Sequence, residues 1–416
     1  MNIIKKITLL FFIVSISFSN EIQLEIGTNG TISIPLILDY NITENLSIHH
    51  TNRFYNINHP SWKYLYQKNQ RYDLTMISEI SYFLFSKDNI SFKIGRDYMD
   101  SNSGRINDLF FSSFSPSLNH VMFNFDNPDF QGTMSIIKLD NRSINCDNDI
   151  NSYCDDLDDG KHNINRWFYY RHISWSITDK LKIGLSDAII STGEDRGVEF
   201  YYLMPLGSFQ AEQLHNVSRK DFVEEGVGYG INNDNGFLGF DIDYKIDDRS
   251  SMYTSLLIDD FQIDVEDRDF VQDVFSFMTG YSGQFKNIEF IVEYSYASPW
   301  MYINSGLYTN LEYNKLPLGI RNPHSQSIDL KFDFKINEKS FTIFVHKEQI
   351  GNQTFDTDWN AWENKIDYFD FSKTLNAEVF FQYHSNKKYF PNILFYNNWK
   401  QSNNNELILT WNYIFS

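Results

Sequence analysis

The chain has 416 residues, 17% of them aromatic, yet its mean hydropathy is negative and its formal charge is −19. Such acidity repels nucleic acid, and no basic stripe with interleaved aromatics offsets it. No stretch of eighteen consecutive apolar residues occurs, so no membrane helix is predicted.

The N-terminus reads as an export signal. Lys5 and Lys6 give a basic start, Ile7 to Ile16 form an apolar run, and Ser17-Phe18-Ser19 supplies small residues before a cut. The run is too short to span a bilayer as a helix, so residues 1–19 are predicted to be a secretory signal. The mature chain, 20–416, then carries about −21, since Lys5 and Lys6 leave with the signal.

Alternation with a period of two recurs along the mature chain. Trp167, Tyr169, Ile173, Trp175 and Ile177 share one register, broken by Arg171. Leu238 to Ile246 alternate with Gly239, Asp241, Asp243, Lys245 and Asp247; Ile328 to Ile336 alternate with Asp329, Lys331, Asp333 and Lys335. Leu375 to Tyr383 and Leu407 to Phe415 repeat the pattern. Successive strand residues face opposite ways, so each run has one apolar and one wet face, and each has the length of a tilted membrane strand.

The connections take turns in length. Tight ones are Asn41–Asn45, Ser86–Asn89, Asp126–Phe130, Thr178–Lys180, Asp247–Ser250, Lys286–Asn287, Asn337–Lys339 and Ser385–Lys388. Between them lie long ones, among them Tyr55–Arg71, Asp97–Ser117, Asp140–Asn165, Ser191–Asn235, Ser298–Ser325 and Gly351–Lys373. Short turns at one end and long loops at the other predict an all-β, antiparallel, up-and-down transmembrane barrel, with the long loops outside the cell. Pairing the turns gives about eighteen strands and a bacterial outer-membrane location. Monomeric insertion by the barrel-assembly machinery, with outer-membrane lipid as the surroundings, follows as an expectation.

Candidate sites follow in chain order. Arg96, Asp97 and Arg105 are predicted to form an ion network in the lumen with carboxylates such as Asp259, the other reading being an anion path. Cys146 and Cys154 are predicted to form a local disulfide, because exported chains meet an oxidising compartment. The acidic stretch from Asp147 to Asp159 lacks calcium-loop spacing, so a solvated loop is expected and no metal is assigned. The loop Ser191–Asn235 contains Tyr201-Tyr202-Leu203-Met204-Pro205-Leu206 and Phe209, which need burial. It is predicted to fold inward and block the lumen; a strand pair rising above the membrane is the alternative.

In Trp359-Asn360-Ala361-Trp362, two indoles sit in a loop rich in Asp and Asn. Indole faces stack on sugar rings and the amide bonds hydroxyls, so Trp359, Asn360 and Trp362 are candidate glycan contacts. Trp300, in another long loop, is read with them. An interfacial aromatic anchor explains the same residues equally well. No nucleophile elbow or metal-binding His pair occurs, and neither catalysis nor a cofactor is expected.

A series of short motifs resembles a known family. Ile94-Gly95-Arg96-Asp97, Gly104-Arg105 and Asn107-Asp108-Leu109-Phe110-Phe111-Ser112 are followed by Tyr201-Tyr202-Leu203-Met204-Pro205-Leu206 and Glu212-Gln213-Leu214-His215-Asn216. Then come Leu257-Ile258-Asp259-Asp260-Phe261-Gln262, Ser298-Pro299-Trp300 and Pro317-Leu318-Gly319. In this order, over roughly residues 90–325, they resemble capsule-assembly outer-membrane proteins of the Wzi type. Ser101-Asn102-Ser103-Gly104 stands where that family often has an aromatic-Gly-Pro-Gly element, and its helical periplasmic segment is not evident. The resemblance implies an eighteen-strand barrel that holds or helps assemble surface polysaccharide. A substrate-specific porin is the alternative reading, and an outer-membrane hydrolase the third.

Overall fold

The computed structural model describes residues 21–27, 32–55, 75–101, 103–112, 115–145, 160–194, 196–204, 209, 234–260, 273–303, 309–314, 316–336, 339–353, 368–369, 371, 374–385, 392–398 and 404–414. The signal segment 1–19, the Cys146–Cys154 pair and Trp359, Asn360 and Trp362 lie outside the described residues.

The strands are β1 (Glu21–Gly27), β2 (Ile32–Asn41), β3 (Leu46–Tyr55), β4 (Thr75–Lys87), β5 (Ile90–Asp97), β6 (Leu118–Asp126) and β7 (Phe130–Lys138). Next come β8 (Arg142–Asn145), β9 (Lys161–Ser176), β10 (Leu181–Gly193), β11 (Asp234–Asp247), β12 (Ser250–Asp260), β13 (Val274–Phe285) and β14 (Ile288–Ala297). The last are β15 (Glu312–Tyr313), β16 (Leu316–Pro317), β17 (Ser325–Ile336), β18 (Lys339–Ile350), β19 (Thr374–Ser385), β20 (Asn392–Asn398) and β21 (Asn404–Ile414).

One sheet holds nineteen of these strands, and β15 and β16 pair apart from it. The short β8 pairs only with the upper end of β9, which leaves eighteen wall strands joined to their neighbours in chain order. The first strand also pairs antiparallel with the last, Glu21 opposite Ile414 through Gly27 opposite Ile408. Every wall strand therefore has a partner on both sides. The short strands β8, β15 and β16 above the wall are additions that the turn pattern did not predict.

Turn chemistry sets the tight end. Asn127 Oδ1 accepts from the N–H groups of Asp129 (3.0 Å) and Phe130 (2.7 Å), and Thr178 Oγ1 from those of Lys180 (3.2 Å) and Leu181 (3.0 Å). Asp88 and Lys286 adopt φ of 52° and 57°, the left-handed conformation that two-residue hairpins require.

Register separates the two faces. Along one continuous rung Phe83, Ile94, Val121, Ile136, Tyr169 and Ile189 stand opposite one another on β4, β5, β6, β7, β9 and β10. Phe85, Phe92, Phe123, Ile173, Trp175, Leu185, Phe240, Ile242 and Tyr244 share this face and are exposed. The opposite face carries Ser135, Ser186, Ser255, Ser276, Ser295 and Ser327, all buried. The buried face is the inner one. Residues 103–110 bond to strands from β11 to β17, and Phe110 packs on Tyr170 of β9, so they touch a stretch of wall roughly 29 Å wide at about 4.8 Å per strand. So short a segment reaches all of them only from the concave side.

Candidate functional site

The described parts of two long loops fill part of the lumen: residues 98–101, 103–112 and 115–117, after β5, and residues 298–303, 309–314 and 316–324, after β14. In the first, Asp108 folds the chain into a compact turn. Its carboxyl accepts from Ser101 N (2.8 Å), Ser101 Oγ (2.5 Å), Phe110 N (2.7 Å) and Phe111 N (2.9 Å). Burial pushes that carboxyl up to about 6, with Asp100 adding in the same direction and the donors opposing.

The inner wall grips this turn through Glu293 of β14. Its carboxylate accepts from three successive backbone amides, Arg105 (3.0 Å), Ile106 (3.2 Å) and Asn107 (2.7 Å), and from Tyr253 Oη (2.6 Å). Asn107 Nδ2 donates to Asp329 (2.8 Å), which also accepts from His346 Nδ1 (2.6 Å). Arg105 pairs with Asp243 at 2.5 Å and lies over the Tyr253 ring. A carboxylate buried in this way costs free energy unless donors surround it, and the plug loop supplies them.

The second loop closes on the first. Tyr302 Oη donates to Leu109 O (2.9 Å), and Ser112 N donates to Leu318 O (2.6 Å). Trp300 and Tyr302 adopt φ of 68° and 67°, unusual for bulky residues, and both are fully buried. At Gly319 a Cβ would meet Leu109 O at 2.4 Å, so only glycine fits between the loops. Leu109, Phe110, Phe111, Trp300, Met301, Tyr302, Leu311 and Leu318 form one apolar cluster with inward Phe168, Tyr170, Phe237, Leu257 and Met278. Burial of each large side chain contributes about 1.5–3 kcal/mol. The inward serines and glycines leave room for it: Phe110 packs on the Gly239 position, and Met278 beside Gly104.

A charged clamp holds the β15–β16 hairpin over the rim. Arg142 bridges Asp140 (2.9 Å) and Glu312 (2.6 Å), while the fully buried Arg166 bridges Asp140 (2.7 Å) and donates to Asn310 O (2.5 Å). Below the plug, at the short-turn end, a chamber of about 390 Å³ is lined by Arg105, Lys182, Asp243, Ser251 and Ser282 among others.

Of the predicted plug Ser191–Asn235, residues 205–208 and 210–233 lie outside the described residues. The described part of loop Ser191–Asn235 lies against the outer wall, neither in the lumen nor in a strand pair above it. Tyr202 and Phe209 pack on outward-facing Tyr169 and Ile189. Trp167 Nε1 donates to Arg196 O (3.1 Å) and Glu199 N to Tyr169 Oη (2.9 Å). Beneath this lap an outward ion pair, Arg171–Asp187 at 2.6 Å, is shielded: Arg171 lies under the Phe209 ring at 3.7 Å, and Phe209 N donates to Asp187 (3.0 Å). Arg171 is the residue that breaks the alternation of β9, and the lap is the reason the break is tolerated.

The four residues assigned to a lumen ion network are not one network. Arg96 lies in the outward register of Ile94 and donates to Ser117 Oγ (3.0 Å). Asp97 pairs with Lys93 (2.7 Å), Arg105 with Asp243, and Asp259 accepts from Tyr302 N (2.9 Å). Trp300 is fully buried in the plug, so its indole offers no face to a glycan. Glu293, Asp329, Asp108 and Tyr302 were the site residues missed. The signal for them was the apolar run Leu109-Phe110-Phe111 in a long loop, together with small residues at inward strand positions. Among the described residues no group of three His, Cys, Asp or Glu side chains could hold a metal.

No family model and no curated protein matches the chain. Among solved structures it is similar to Wzi of Escherichia coli, an outer-membrane protein involved in group 1 capsule assembly and described as a carbohydrate-binding β-barrel. The TM-score is 0.63 at 10% identity, over 98% of this chain and 87% of that one. OccD3 (OpdP) of Pseudomonas aeruginosa superposes with a TM-score of 0.47 at 9% identity, over 95% and 90%. The chain has the fold of an outer-membrane β-barrel. Its exposed apolar outer face belongs in lipid, and its place is the bacterial outer membrane.

Proposed function

We propose that the protein binds a surface polysaccharide at its long-loop end and assists the assembly or attachment of a capsule or exopolysaccharide, without catalysis. The observation that supports this reading is the partial filling of the lumen: two loops bonded to each other and to the inner wall occupy the side of it that β9 to β17 enclose. Wzi, the barrel it superposes on, is itself a carbohydrate-binding protein, and that supports the ligand class. Binding would rest on many weak polar and stacking contacts made by loops on a rigid wall. The chamber beneath Arg105 favours a substrate-selective channel as the second reading.

The test is retention of purified surface polysaccharide by the detergent-solubilised protein. Retention, lost when Trp359 and Trp362 are both replaced by Ala, supports the reading and places the contact. No retention above that of an unrelated barrel contradicts it.

A further inference from the structure

The outer wall carries a polar rung where lipid-facing residues would otherwise be apolar. One step toward the long-loop end from Ile94, Val121 and Ile136, the register places Arg96 opposite Asn119, Asn119 opposite Lys138, and Lys138 opposite Trp167. Arg96 and Lys138 thus sit roughly 10 Å apart with one amide between them. A groove of about 910 Å³ runs over this rung; Arg96, Asn119, Lys138 and Trp167 line it with Ile94 and Ile136, and Val198, Tyr313 and Asn314 border it.

Among the described residues neither cation forms an ion pair; Asp140, which acts on Lys138, already bridges Arg142 and Arg166. Arg96 uses one nitrogen on Ser117 Oγ. Lys138 donates to Asn141 Oδ1 (2.7 Å) and Arg166 O (3.2 Å) and lies 4.9 Å from the Trp167 ring centre. Neither is paired with a carboxylate among the described residues, although the chain as a whole carries −19. Cations left without counter-charge at the edge of hydrocarbon are costly, and a guanidinium and an ammonium suit phosphate oxygens. Directly below them the wall is aliphatic: Ile94 is exposed, Val121 is half-buried, and Ile136 is partly covered by the lap of Tyr202 and Phe209.

We propose that this groove binds the phosphorylated headgroup of an outer-leaflet glycolipid. The phosphate sits between Arg96 and Lys138, Asn119 and Trp167 meet the sugar portion, and acyl chains lie on Ile94 and Val121. The site faces lipid, on the opposite side of the wall from the lumen, and does not depend on the polysaccharide reading.

Native mass spectrometry of the detergent-solubilised full chain tests the proposal, with phosphorylated lipopolysaccharide and its enzymatically dephosphorylated form as probes. The phosphorylated form is expected to stay bound and the dephosphorylated form to be lost. Arg96→Gln and Lys138→Gln should each weaken retention about fivefold, and Lys180→Gln at the opposite rim should leave it unchanged. Equal retention of both lipid forms by the native protein overturns the proposal, as does undiminished retention by the double variant. Competition by millimolar inorganic phosphate alone would show a free-anion site and would also overturn it. The comparison of two lipids on the native chain needs no variant to fold.

Discussion

Glu293 offers its carboxylate to three backbone amides in a row, and Asp108 orders the turn that presents them. Glu293→Gln keeps the volume but replaces one acceptor oxygen by a donor. The amides of Arg105, Ile106 and Asn107 then share too few acceptors, and a buried donor left unmade costs about 1–3 kcal/mol. Hydrogen exchange at residues 105–107 is expected to rise at least about tenfold in this variant, with exchange in the wall strands unchanged. Asp108 adds a pH dependence. Its folded value of about 6 lies above the ordinary carboxylate value, so the folded plug binds a proton more tightly than the opened one. Plug stability is therefore greatest below about pH 4, falls as pH rises toward 6, and is level above that. Exchange of the Phe110 and Phe111 amides, corrected for intrinsic rate, should slow as pH drops from 7 to 5; the Asp108→Asn variant should show no such slope.

At the scale of elements, strands were legible from sequence and loops were not. Leu238 to Ile246 alternate because one face meets lipid and the other the lumen, and that constraint is local and periodic. Turn residues such as Asn127 and Thr178 announce themselves by the bonds their own side chains make. The side of the wall on which a loop lies is set by partners far away in the chain. Tyr202 and Phe209 need burial wherever it is found, and Tyr169 and Ile189 provide it on the outside. Phe110 and Phe111 find theirs inside, where Gly239 and Ser186 make room. The Arg171 break in β9 was visible, but its meaning required Asp187 and the lap. Replacing Arg171 alone with Leu strands a carboxylate at the lipid face and should cost about 3–5 kcal/mol; replacing Arg171 and Asp187 together with Leu should cost far less. Heat-modifiable gel mobility across the four-member cycle checks this coupling.

For the whole molecule, closure of β1 on β21 gives every wall strand a partner on both sides, as a lipid-embedded sheet must have. Eighteen strands enclose more space than wall side chains can fill. The two plug loops, held by Glu293, Asp259, Asp329 and the Arg166 clamp, occupy it from β9 to β17. The Trp359-Asn360-Ala361-Trp362 segment, the sequence's first choice for glycan contact, lies outside the described residues. We propose that this lumen is blocked and that the barrel works by binding. Single-channel recording of the purified protein in a planar bilayer addresses it most directly. The intact chain should show no stable open steps, with steps appearing only when Glu293 and Phe110 are both replaced by Ala. Stable, uniform open steps from the unaltered protein would contradict the account.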